Sequence, residues 1–290
     1  LVAIDGIDIN TVIENNKKYS PRAENRKLQL LTNFDLFRSE ENVSVGLTLK
    51  DENGVEYQFT TNKSASAAGI YEAIVGVITS RNNDKHLELN NGIHYVNLDL
   101  IEGDDVNATV ELIKDAKGVV LDLRNYPVWD GWRGLLSHLI QHTSTALPMY
   151  RKIYTYPNQY LTNTSDIPQY LYAKQSALNI PTVVLASSYS ISQNEHALGY
   201  IQSAGFPIIG EHTYGINGNL STIHLLGGMS EGGVSVGFTG MKVTQHDGSM
   251  LRGVGIQPDI EVPITIDSIR QRDDIQLQAA IDYLLRQVNP

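Results

Sequence analysis

Four serines crowd one short stretch, Ser187, Ser188, Ser190 and Ser192, and Gln193, Asn194, Glu195 and His196 follow directly. Ahead of them is the apolar run Thr182 to Ala186. Behind them come a helical pattern through Ile201, a second apolar run Pro207 to Ile209, and a glycine-punctuated loop to Asn219. Strand, polar turn, helix, strand is the order of a parallel β-α-β unit. In such a unit the strand's carboxyl end and the helix N-terminus leave N–H groups facing a crevice. A hydroxyl placed there can attack a carbonyl carbon, so Ser192 is the candidate nucleophile and Ser190 the other choice. The N–H of Gln193 points into the same place and can hold an oxyanion, a contribution of about 2.7–4 kcal/mol per donor. The same residues admit a plainer reading, in which Ser192 caps the helix and Glu195 completes a capping box.

The partners for such a serine are harder to find. His196 lies one helical turn after Ser192, where side chains lean back toward the N-terminus, and it reads as a packing histidine. His212 and His246 sit on loops. Lys242 lies on a strand pattern and reads as structural. Asp104-Asp105 reads as a solvated helix start, and no spacing of His, Asp or Glu resembles a metal site, so no metal or cofactor is expected.

The whole chain bounds these readings. At 290 residues with 41% apolar content it has room for one large domain or two ordinary ones. A net charge of -10 argues against a nucleic-acid partner, which needs clustered Lys and Arg. Cysteine is absent, which removes disulfides and thiol nucleophiles. No run approaches the ~18 apolar residues of a membrane span. The chain opens Leu-Val-Ala-Ile-Asp-Gly without a Met or a signal peptide and is expected to be a fragment or a processed product.

Residues 1–64 read as a β-rich module. Leu1 to Ile4 and Ile7 to Ile9 flank an Asp5-Gly6 turn, a polar middle has helical character, and Val43 to Leu49 and Tyr57 to Thr60 form a hairpin at Asn53-Gly54. Residues 65–85 read as a linker with one apolar element, Ile70 to Ile78. Residues 86–290 carry the chemistry: a strand over Ile93 to Leu100, a helix over Val106 to Ile113, a doubly buried strand over Gly118 to Leu123 and a helix over Leu135 to His142. Residues 143–179, with six tyrosines between Tyr150 and Tyr172, read as a tyrosine-rich surface loop packed on the core, with a groove wall for a ligand as the alternative. The C-terminal part reads as antiparallel strands, Ser221 to Leu226, Val234 to Thr239 and Met241 to Thr244, with Gly227-Gly228 and Gly232-Gly233 as hairpin punctuation. Asp247-Gly248 is a turn, Gly253 to Ile260 a loop, and Asp274 to Leu285 a capped helix.

Several of these segments stand together in a known order. Gly92-Ile-His-Tyr-Val-Asn-Leu, Gly118-Val-Val-Leu-Asp-Leu-Arg, Ser192-x-x-Glu195, Gly210-Glu-x-Thr-Tyr-Gly215, Asp247-Gly-Ser and Gly253-x-Gly-Ile-x-Pro-Asp259 resemble the tail-specific, or C-terminal processing, serine peptidases, the family that includes the tricorn protease core. The resemblance covers roughly residues 86 to 285. It implies an α/β, crotonase-like (ClpP/crotonase) peptidase core, preceded by the second half of a truncated PDZ-like domain. It makes Ser192 the nucleophile and places a second oxyanion donor after the Asp-Leu-Arg strand. There the family's glycines are replaced by Asn125-Tyr126-Pro127-Val128, and proline has no N–H, so Tyr126 or Val128 must serve, with Tyr126 the candidate.

A larger departure concerns the base. The bacterial enzymes place a lysine after Gly-x-Thr-Phe-Gly, and this chain has Ile216, which excludes that dyad. The tricorn-like branch draws a histidine from before the PDZ-like domain, so the base is expected from outside these 290 residues. The resemblance therefore implies a serine endopeptidase acting on polypeptides, in an extracytoplasmic (periplasmic or secreted) setting. A catalytically inactive peptide-binding or scaffolding protein on the same fold is the alternative. Oligomeric state stays open.

Overall fold

The computed structural model describes residues 1–17, 43–51, 53–63, 84–127, 129–154, 162–226 and 234–288. It divides into two units, Leu1–Ser80 and Arg81–Pro290. The linker element Ile70 to Ile78, Val128 and the paired glycines at 227–228 and 232–233 lie outside the described residues.

In the first unit β1 (Ala3–Ile4) and β2 (Ile7–Asp8) turn at Asp5-Gly6, α1 (Ile9–Lys17) follows, and β3 (Ser44–Lys50) pairs with β4 (Glu56–Asn62). These make one antiparallel sheet in the order β2-β1-β3-β4. The period-two pattern of β3 points Val45 and Leu47 inward against Ile4. Asp51 closes the hairpin by accepting the N–H groups of Asn53 and Val55.

In the second unit β5 (His86–Glu88) and β6 (Ile93–Asn97) lead through short 3₁₀ turns to α2 (Val106–Ile113), β7 (Gly118–Asp122) and α3 (Gly131–Leu139). Then come β8 (Ser144–Thr145), β9 (Met149–Tyr154), β10 (Thr162–Asp166), β11 (Tyr170–Leu171) and β12 (Thr182–Ala186). The order continues with α4 (Gln193–Ala204), β13 (Ile208–Gly210), β14 (Leu220–Leu226), β15 (Val234–Thr239), β16 (Met241–Val243), β17 (Ile260–Glu261), α5 (Ile266–Gln271) and α6 (Ile275–Val288).

Six strands form the central sheet in the order β17-β13-β12-β7-β6-β5, parallel except where β5 meets β6. Alternation along β7 and β12 sends Val119, Leu121, Val184 and Ala186 into one apolar cluster and Val120, Val183 and Leu185 into another. α3 and α4 supply the first cluster, through Trp132, Leu135, Leu198 and Ile201 among others, and α6 supplies the second through Ala280 and Leu284. Both faces are covered, which is why these strands read as continuous apolar runs.

Three expectations change. Residues 143–179 are not merely loop, for β9 pairs with β10 and with β16, and β8 pairs with β11. The helix expected at Leu135 to His142 starts earlier and stops at Leu139, because Ile140 is extended with ψ 141°. The C-terminal part is not wholly antiparallel, since β17 joins β13 in parallel. No helix among the described residues is long and apolar enough to cross a membrane.

Candidate active site

Adjacent parallel strands bring their carboxyl ends together. Leu185 of β12 stands in register with Asp122 of β7, so the loop after β7 and the serine turn after β12 emerge side by side. The serine hydroxyls then divide sharply. Ser187 Oγ donates to the Arg124 carbonyl at 2.8 Å and Ser188 Oγ to the Glu211 carboxylate at 3.1 Å. Ser190 is fully buried, donates to the Leu123 carbonyl and accepts the N–H of Ser187, so its hydroxyl is engaged within the fold. Ser192 Oγ makes no hydrogen bond among the described residues.

The backbone at Ser192 is unusual. It sits at φ 50°, ψ -105°, immediately before α4, in a region that costs a non-glycine residue roughly 1–3 kcal/mol. Its N–H is held at 2.6 Å by the carbonyl of Ile216. The capping-box reading fails here, because Glu195 does not reach back to Ser192. The Glu195 side chain is buried and accepts Thr213 Oγ1 and the N–H of Gly215.

Gln193 is the first residue of α4, so its N–H has no intrahelical acceptor, and it finds none elsewhere among the described residues. Tyr126 lies in the loop after β7 and is exposed, and its N–H is likewise without an acceptor there. The two loops are bonded to each other, since Asn194 Nδ2 donates to the carbonyls of Leu123 and Asn125. Gln193 and Tyr126 are thus each one residue from a member of the same bridge.

Beneath the loop after β7 lies a buried ion cluster that the sequence reading missed. Arg124 is 1% exposed and bonds the carboxylates of Asp122 and Asp274, each near 2.7 Å, while Tyr95 donates to Asp122. Burial would lower the Arg124 pKa, but the two carboxylates outweigh it and hold the guanidinium charged well above its usual range. Two opposite charges, Asp122 and Arg124, closing an apolar run are the trace that could have revealed it.

The glycine loop is built by close approach. Gly215 has φ 75°, and a Cβ there would stand 2.6 Å from the Gly255 nitrogen and the Leu251 carbonyl oxygen. A Cβ on Gly255 would stand 2.1 Å from the Thr213 carbonyl oxygen. Thr213 Oγ1 also accepts the Ile256 N–H, so the segments with glycines at 210, 215, 253 and 255 are one interlocked unit.

Ile216, at the lysine position of the bacterial enzymes, accepts the Ser192 N–H through its carbonyl. His196 is packed against Trp132 and Tyr200, and its Nε2 faces Arg133 Nη2 at 3.4 Å. Burial, with the Arg133 charge adding to it, pushes its pKa down to about 4 and keeps the ring neutral. His246 Nε2 bonds the Gly199 carbonyl. Lys242 lies on β16 over the Tyr150 ring, 5.9 Å from its centroid.

Comparison with known proteins settles the family. The model of peptidase family S41 matches residues 92–262, more than half of the chain. The chain belongs to peptidase family S41. It is accordingly a peptidase of the tail-specific, C-terminal processing family, with that family's mixed α/β fold. Mature CPAF, solved with lactacystin, is 12% identical with a TM-score of 0.70, over 99% of this chain and 77% of that one. A candidate peptidase from Parabacteroides merdae is 17% identical with a TM-score of 0.56, over 97% and 90%. Likeness at such identities speaks to fold alone. No curated protein sequence matches the chain.

Proposed function

We propose that this S41 peptidase is a serine endopeptidase that cleaves polypeptides through an acyl-enzyme on Ser192. One observation carries the reading: of the four clustered serines only Ser192 leaves its hydroxyl unbonded, on a strained residue at the mouth of α4. A base removes the Oγ proton as Oγ bonds to the scissile carbonyl carbon. The N–H groups of Gln193 and Tyr126 hold the oxyanion, the C–N bond breaks with the proton passing to the amine, and water then hydrolyses the ester. Among the described residues no lysine or histidine bonds Ser192 Oγ, and on this reading the base comes from outside these 290 residues.

On this reading residues 86–290 are a crotonase-like catalytic core, 65–85 a linker, and 1–64 the second half of a PDZ-like domain. The setting is periplasmic or secreted. The second reading, a catalytically inactive peptide binder on the same fold, is favoured by Ile216 at the lysine position. A fluorophosphonate probe separates them. Labelling at Ser192 of the protein extended upstream of Leu1, lost in Ser192→Ala, is the expected result. Peptide binding without labelling would establish the inactive protein instead.

A further inference from the structure

One cleft along α3 is not absorbed by the proposed catalysis. It has a volume of about 450 Å³ and lies between α3 and the segment that follows β11. Its walls are fixed to each other, because the Lys174 N–H donates to the Ser137 carbonyl at 2.8 Å. Arg133 and Lys174 line it together with Asp130, Tyr170 and Tyr172.

The cations here are not neutralised by a carboxylate of the fold. Among the described residues neither Arg133 nor Lys174 has a carboxylate within ion-pair distance, whereas buried Arg124 has two. Arg133 is held by other means: its guanidinium carbon stands 5.2 Å from the Trp132 ring centroid and 5.4 Å from that of Tyr200, both rings fully buried. Stacking of this kind orients a guanidinium without neutralising it. Tyr170 and Tyr172 are exposed and their rings lie 6.3 Å apart, which offers an apolar wall beside the charges.

The cleft is tied to the candidate nucleophile through α4. Arg133 Nη2 faces His196 Nε2 at 3.4 Å, and His196 is one helical turn, about 6 Å of rise, beyond Ser192. An extended peptide advances roughly 3.3 Å per residue, so that one turn corresponds to about two residues of a bound polypeptide.

We propose that this cleft is a substrate subsite that binds a carboxylate of the polypeptide, through Arg133 and Lys174, with Tyr170 and Tyr172 packing on the stem that carries it. The proposal rests on the peptidase reading for the class of ligand, since the anions a polypeptide offers are Asp and Glu side chains and the chain's own C-terminus. Two cations against the single carboxylate of Asp130 leave the cleft net positive in a protein whose overall charge is -10.

The test is binding to the Ser192→Ala protein, read by anisotropy of fluorescein-labelled peptides, so that no turnover is required. The peptides are a neutral, C-terminally amidated reference, the same with one Glu, and the neutral sequence with a free C-terminus. A carboxylate-bearing peptide should bind about tenfold tighter than the reference. A gain for the Glu peptide marks a side-chain subsite, and a gain for the free C-terminus marks a terminal one. Lys174→Gln should reduce the gain and Lys174→Glu should abolish it, with an unchanged melting temperature because Lys174 is exposed. Equal affinity for all peptides, no binding by any, or a preference that survives Lys174→Glu overturns the proposal. Fluorophosphonate labelling of Ser192 is scored separately, so a lost nucleophile and a lost subsite give different results.

Discussion

The buried carboxylate of Glu195 accepts the hydroxyl of Thr213, so the helix that begins at Ser192 is bonded directly to the glycine loop. Thr213 Oγ1 in turn accepts the Ile256 N–H. Thr213→Val keeps the shape and strands both partners, and should cost about 2–4 kcal/mol. Thr213→Ser keeps both bonds and should cost less than about 1.5 kcal/mol. Urea unfolding of the two variants checks this, and equal stabilities would remove the bond from the structural account.

Ser190 and Ser192 should respond in opposite ways. Ser190→Ala removes a buried hydroxyl that both donates and accepts, for a loss of about 1–2 kcal/mol, and should retain probe labelling. Ser192→Ala should leave stability within about 0.5 kcal/mol and abolish labelling. Ser192→Gly should melt higher than Ser192→Ala, because glycine relieves the strain at φ 50°.

Breaking the buried ion cluster should be severe. Asp274→Ala leaves Arg124 with one of its two carboxylates and should cost about 3–5 kcal/mol. Arg124→Lys should not rescue the site, since an ammonium cannot form the paired bonds a guanidinium makes to two carboxylates. Thermal melts of both variants test the expectation, and a melting temperature within a degree of the parent would contradict it.

His196 should make the fold acid-sensitive. Its pKa is lowered from 6.5 to about 4, so between those values the unfolded chain binds a proton that the native state refuses. Stability is therefore unaffected by this group above pH 6.5 and falls as the pH drops through the window, by about 2 kcal/mol at pH 5. His196→Gln should remove that share of the acid loss. Denaturant titrations at pH 7.5 and pH 5 give the difference, and an identical pH slope in both proteins would refute the assignment.

Much of the catalytic unit was legible locally. The run Thr182 to Ala186, a helix through Ile201, which the structure carries on to Ala204, and the strand at Ile208 follow from period and punctuation, and Val106 to Ile113 was bounded to the residue. What failed did so where the local period is silent or the partner is distant. β9 was hidden because a tyrosine-rich segment shows no period that demands a strand, although β10 pairs with it from close by and β16 from about ninety residues on. The carboxyl site was hidden for a related reason, since the Asp274 that holds Arg124 comes from the far end of the chain.

By itself the sequence determined the family, the order of elements and the short list of four serines, because these depend on residue type and spacing along one chain. Only the tertiary structure shows which of the serine hydroxyls are engaged. Whether a hydroxyl is free depends on acceptors brought from other elements, and Leu123, Arg124 and Glu211 claim three of the four. It also reassigned Glu195 from a helix cap to a loop anchor, because Thr213 and Gly215 stand closer to its carboxylate than its own helix start does.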